Sequence, residues 1–189
     1  ENQLNEEAKG YLGRITRATD TMSELIEDML KLSRISRAEM DILPINLSQI
    51  VQSIADELRK SQPERRVEIK IADGLEDLAD PRLMRIVFEN LLSNSWKFTA
   101  KNDNVRIEFG LTLKNDKKVY FIRDNGAGFD MEYAGKLFTP FQRYHNVEEY
   151  AGTGIGLAIV KRIIIRHGGS IRAESNVGEG TTIFFTLNE

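Results

Sequence analysis

The stretch from Asp124 to Leu157 constrains this chain more than any other. It opens with Asp124-Asn-Gly126-Ala-Gly128-Phe129 and closes with Gly152-Thr153-Gly154-Ile155-Gly156-Leu157. Glycine permits positive φ and lets a ligand approach where a Cβ would stand in the way. The second cluster runs straight into Leu157-Ala-Ile-Val-Lys-Arg-Ile-Ile-Ile-Arg166, a good helical pattern. The start of such a helix presents unpaired N–H groups and a positive dipole end, which suits an anion and above all a phosphate. One Gly-x-Gly cluster is as readily a turn as a phosphate loop. Two clusters bracketing an irregular loop of about two dozen residues make the bare-turn reading hard to sustain.

The rest of the composition excludes rather than identifies. With 189 residues, 41% of them apolar and 29% charged, the chain can bury a core and still carry an appendage. A net charge of −3 gives no basic surface of the kind that binds nucleic acid. The absence of cysteine removes disulfides, thiolate catalysis and cysteine metal sites, and fits a reducing compartment. No apolar run approaches the roughly 20 residues that cross a bilayer, and no signal-peptide pattern is present. The sequence begins at Glu1 without Met, which reads as a piece of something longer.

Leu4, Ala8, Tyr11, Ile15, Ala18, Met22, Leu25, Met29 and Leu32 alternate four and three apart, a heptad seam on one long helix. Leu12, Ile26 and Leu30 widen it toward a bundle, and Asn5 is its expected cap. Such a helix is unstable alone in water. It needs a partner absent from this chain, its own copy or, as an alternative, its own domain. The pattern decays over 33–41, and Pro44 is expected to end the appendage.

A second unit spans 45–189. Asn46 with Gln49 predicts a capped helix, Val67-Ile69-Ile71 a strand, and Asp80-Pro81 the start of a helix running to about Phe98. Val105 to Leu113 alternate, Lys114-Asn-Asp-Lys117 turns the chain, and Val119-Tyr-Phe-Ile122 delivers Asp124 at its end, a strand expected to be buried on both faces. His167-Gly168 stops the helix that follows the second glycine cluster, and 171–187 form a hairpin across Asn176 to Gly180. Five strands and three helices without a regular βαβ repeat predict an α+β two-layer sandwich, a mixed sheet with helices on one face. At about 100° per residue, Asn90, Asn94 and Lys97 share a sector beside the apolar stripe of their helix. They offer an oxygen ligand for a hard cation and a cation for phosphate, and Mg²⁺ takes only one or two protein oxygens beside a nucleotide's own.

These segments resemble those of the sensor histidine kinases. Glu89-Asn90-Leu-Leu-Ser-Asn94-Ser-Trp-Lys97-Phe98-Thr99 is similar to their N box. The two glycine clusters are similar to their glycine boxes, and Phe138-Thr-Pro-Phe141 to their F box. The wording from Phe141-Gln-Arg143-Tyr144-His145 to Gly152 resembles phytochrome-like kinases, and the heptad helix resembles the second helix of the dimerisation and phosphoacceptor hairpin, over 1–42. The resemblance implies the histidine kinase and Hsp90-type ATP-binding fold, with ATP and Mg²⁺ as ligands. Asp124 would take the adenine amino group, Gly126 and Gly128 would let backbone approach the base, and Thr182 or its neighbour Thr181 would reach the adenine through water. Asn94 would ligate Mg²⁺, with Asn90, Lys97 and Phe98 around the nucleotide. Gly152, Thr153, Gly154, Ile155, Gly156 and Leu157 would wrap the triphosphate, and Arg143 would stabilise the γ-phosphate in transfer. Phe138 and Phe141 would anchor the lid by packing.

The family phosphorylates a histidine followed by an acidic residue in the first hairpin helix. Only His145 and His167 exist here, in neither case in that context, and His167 reads as a helix cap. The expectation is therefore the ATP-binding half of a cytoplasmic kinase machine. Its implied partners are its own phosphoacceptor hairpin, a homodimer mate and a response-regulator receiver domain, within a parent that is soluble or membrane-anchored. Two alternatives keep the pocket: a chaperone-type or mismatch-repair-type ATPase, or a nucleotide-gated dimerisation module without turnover. The former needs a carboxylate base on the N-box helix, where Glu89 lies about 100° away from Asn90.

Overall fold

In the computed structural model, which describes residues 6–142 and 152–188, a long helix leads into a two-layer unit. The helix is α1 (Glu6–Arg37). Helices α2 (Leu47–Ser61), α3 (Pro81–Phe98) and α4 (Gly156–Arg166) cover one face of a five-stranded sheet. The strands are β2 (Val67–Ile71), β4 (Val105–Lys114), β5 (Lys117–Asp124), β6 (Ile171–Asn176) and β7 (Gly180–Phe185), in the order β2-β4-β5-β7-β6. Only β2 and β4 pair in parallel, so the sheet is mixed as its lack of βαβ repeats predicts.

Local chemistry sets the ends of these elements. Asn46 Oδ1 accepts from Gln49 N at 2.9 Å and caps α2. Asp80 caps α3 ahead of Pro81, accepting from Arg82 N at 2.9 Å and Leu83 N at 3.2 Å. Asn115 and Asp116, at φ 51° and 60°, make the tight turn that joins β4 to β5. Between the layers Phe88 of α3 meets Phe109 and Phe185 edge-on, at centroid distances of 5.2 and 6.1 Å, and Tyr120 stacks on Phe185.

Three expectations change. Pro44 does not end the appendage; it lies in β1 (Leu43–Asn46), which pairs antiparallel with β3 (Glu76–Ala79) in a small second sheet. A proline fits there because the strand is an edge and needs no N–H at that point. Strand β5 is not buried evenly on both faces, since Val119, Tyr120 and Ile122 are buried while Phe121 is half-buried on the face without helices. Helix α1 divides its seam. Ile35 enters the core, and Leu25 and Leu32 are half-buried against it, whereas Tyr11, Leu12, Ile15, Met22, Ile26, Met29 and Leu30 are exposed. The helix thus folds back on its own domain at its C-terminal end and keeps an uncovered apolar face along most of its length. Asn5, its expected cap, lies outside the described residues. None of the described helices is long and apolar enough to cross a membrane.

Candidate functional site

Strand β5 runs down the middle of the sheet and ends on Asp124, beside the C-terminal turns of α3. The side chain is buried, with 8% exposure. Its Oδ1 accepts from Gly126 N and its Oδ2 from Ser95 Oγ, each at 3.0 Å. Burial pushes the Asp124 carboxyl above the usual carboxylate range, and the donors from Gly126, Ser95 and the Thr181 backbone pull it only part of the way back. A buried carboxylate with lone pairs to spare is an acceptor waiting for a donor.

Asp124 opens into a cavity of about 350 Å³, in the range of small-molecule pockets. One part of the wall is α3, with Asn90, Leu91, Asn94, Ser95, Lys97 and Phe98; another is Gly152, Thr153, Gly154, Gly156 and Leu157. Gly128, Phe129, Leu137, Thr181 and Ile183 close the inner end, and Asp28 reaches in from α1. The inner end is therefore an apolar slot with one carboxylate, and the outer part is lined by amides, an ammonium and a glycine-rich backbone. Lys97 Nζ lies 4.4 Å from the Phe98 ring centroid. Asn90 Nδ2 donates to Ile86 O at 2.8 Å, which turns its carbonyl oxygen toward Gly156. A Cβ on Gly156 would sit 2.4 Å from that oxygen, so the glycine lets α4 start against α3.

Fourteen of the site residues expected from the sequence fall on described backbone, and most converge. Gly126 and Ile155 do not line the cavity: Ile155 is buried in the core, and Gly126 packs under the Phe98 carbonyl. Gly128 has φ +62°, and a Cβ there would lie 1.9 Å from Asn176 O. The glycines of the first cluster are thus required by neighbouring backbone, not only by the approach of a base. Thr182 is a correction. It pairs with Arg123 and its Oγ1 accepts from Arg123 Nε at 3.2 Å, on the face away from the cavity. Thr181 pairs with Asp124 and takes the place at the site. Phe141 is a second correction: at φ +66° the residue is 53% exposed rather than packed in, and its N–H donates to Gly154 O at 3.1 Å. Phe138 packs on the core as expected. Arg143, with Tyr144 and His145, lies outside the described residues.

Sequence reasoning passed over Ser95 and Asp28. Ser95 follows Leu91 by four and precedes Phe98 by three on an otherwise apolar face, a signal for a functional hydroxyl. Asp28 comes from another element, and nothing local marks it. Glu89 does not enter the cavity; its Oε1 is 2.8 Å from Arg85 Nε on the outer surface of α3.

Residues 79–189 match the family described as histidine kinase-, DNA gyrase B- and HSP90-like ATPases. The chain is 33% identical over 97% of its length to the phytochrome-like protein Cph1 of Synechocystis sp. and 37% identical over 96% to cyanobacterial phytochrome B of Nostoc sp.. It spans 24% of the length of each of these relatives. Full-length ShkA in complex with AMPPNP shares the fold with a TM-score of 0.72 at 23% identity, over 98% of this chain and 40% of that one. The chain is also 34% identical over 93% of its length to the methanogenesis regulatory histidine kinase FilI of Methanothrix harundinacea. It belongs to this ATPase family, and within it to the catalytic domains of the sensor histidine kinases.

Proposed function

We propose that the cavity binds ATP with Mg²⁺, and that in the whole protein the γ-phosphoryl passes to a histidine of the first hairpin helix and then to an aspartate of a receiver domain. The observation that carries the nucleotide reading is Asp124, a buried acceptor at the apolar end of a slot whose other end is the glycine-rich start of α4. Asp124 takes the exocyclic amino group of adenine, a donor that guanine lacks at that position. Phe98 and Ile183 offer the base apolar surface, and Thr181 stands at the same inner end. The N–H groups of 152–157 and the Lys97 ammonium take the phosphates. Among the described residues no cluster of three or more acidic or histidine side chains could hold a metal by itself. The lining therefore suits a cation carried mainly by the nucleotide's oxygens, with Asn94 adding one and Asn90 supporting the phosphates. Arg143 is assigned to the γ-phosphate on resemblance alone. Glu89, ion-paired outside the cavity, favours phosphotransfer over the direct hydrolysis of the family's other branches.

Titration calorimetry with ADP and a non-hydrolysable ATP analogue tests this. A hydrogen bond to a charged group contributes about 1.5–3 kcal/mol, so Asp124→Asn should weaken both nucleotides by about one to two powers of ten. Asn94→Ala should reduce the Mg²⁺-dependent part of triphosphate affinity. Unchanged affinity in both variants would remove the assignment.

A further inference from the structure

Helix α1 sends one charged side chain into the cavity. Asp28 Oδ2 accepts from Thr153 Oγ1 at 2.6 Å, joining the helix to the second glycine segment. Lys31 Nζ is 3.9 Å from the other carboxylate oxygen, but it sits on the exposed side of the helix. The next turns hold α1 in place: Arg162 Nε donates to Ser36 Oγ at 3.1 Å, and Arg166 donates to the carbonyls of Ile35 and Ala38. One residue earlier in the same segment, a Cβ on Gly152 would lie 3.3 Å from Lys97 Nζ. The segment thus meets a cation from α3 and a carboxylate from α1. That carboxylate occupies a hydroxyl donor that would otherwise serve an anionic ligand.

We propose that Asp28 is a specificity-determining residue that reads the number of phosphates on the nucleotide. The inference rests on the nucleotide reading above. With α1 seated, the cavity accepts a nucleoside diphosphate. A third phosphate brings a further anion toward Thr153, where it competes for the same hydroxyl and is repelled by the carboxylate. The triphosphate binds fully only when Asp28 leaves, and by linkage it loosens α1 to the same degree that seated α1 weakens it. The pocket thereby couples the phosphate count to the position of the long helix.

The test compares ADP with a non-hydrolysable ATP analogue, both with Mg²⁺, on this chain and on Asp28→Asn, which keeps the shape and removes the charge. The substitution should shift the affinity ratio about tenfold toward the triphosphate and leave ADP within about twofold, the scale of one charge-assisted hydrogen bond at a partly exposed site. Hydrogen exchange over residues 21–32 should be faster with the analogue than with ADP in the unaltered chain, and this difference should vanish in Asp28→Asn. An unchanged ratio overturns the proposal. So does selective loss of triphosphate affinity, which would make Asp28 a ligand of the metal instead. If neither protein binds any nucleotide, the pocket assignment itself fails, and the inference falls with it.

Discussion

Asp124 is held between opposed effects, and this gives its role a pH signature. Burial raises its pKa and three donors lower it, with burial the larger. The native state therefore holds a proton at pH values where an unfolded aspartate, with a pKa of about 3.9, has lost it. Ionised Asp124 weighs against the fold above its raised pKa, and that penalty disappears as pH falls below the ordinary value. Nucleotide binding has the opposite sign, since a base amino group needs the ionised form. ADP affinity should fall on acidification at a pH above the free-aspartate range, and Asp124→Asn should lose this dependence along with its affinity. Thermal unfolding of the same variant at neutral pH should show little loss, about 1 kcal/mol or less, because removing a disfavoured charge offsets one poorer hydrogen bond. Gly128 is the contrasting residue. Positive φ and a Cβ within 1.9 Å of a backbone oxygen should make Gly128→Ala cost about 2–4 kcal/mol in denaturant titration.

Among the elements, α3 carries one wall of the site, and Asp80 at its start joins it to the segment that follows α1. Its carboxylate is fully buried, caps α3, accepts from Asp41 N at 3.0 Å and pairs with Arg82 at 2.9 Å. Burial would raise its pKa, but these donors together outweigh it and hold the group at about 2. A depressed carboxylate stabilises above its unfolded pKa, so this contribution is complete above pH of about 4 and fades as pH falls toward about 2. Loss of the cap and of the Asp41 bond should make Asp80→Ala cost about 2–4 kcal/mol at neutral pH, with a smaller penalty near pH of about 2. Asp80 N–H donates to His167 Nε2 at 3.0 Å, while His167 Nδ1 donates to Ile163 O at 2.8 Å. The imidazole thus ties the start of α3 to the end of α4.

At the scale of the whole molecule, that engagement decides what the chain can do alone. His167 is buried with both ring nitrogens in use, and His145 is followed by Asn146 rather than an acid. The chain should therefore bind γ-labelled ATP without acquiring acid-labile label. A separately made hairpin bearing a histidine followed by an acidic residue should become labelled when added, aided by the exposed seam from Tyr11 to Leu30. Acid-labile label on His145 or His167 of this chain alone would contradict the readings of both histidines.

Much of this was legible in the sequence because it depends on near neighbours. Alternation set the strands, Asn46 and Asp80 set their helix starts, and the glycine clusters marked the cavity wall, since each follows from backbone geometry over a few residues. Strands β1 and β3 escaped notice because four-residue strands carry too little pattern. The choice between Thr181 and Thr182 was not local. Pairing with β5 fixes which residue faces Asp124, and side-chain period two sends its neighbour to the other face. Ser95, the crowding of Gly128 by Asn176, and the seating of Asp28 on Thr153 likewise depend on residues between 29 and 125 positions away. The sequence alone determined the longer elements and the kind of ligand, because those rest on local periodicity and on residue chemistry. Only the tertiary structure decided which hydroxyl, which threonine and which carboxylate share the cavity, because register and helix docking are set by packing across the whole core.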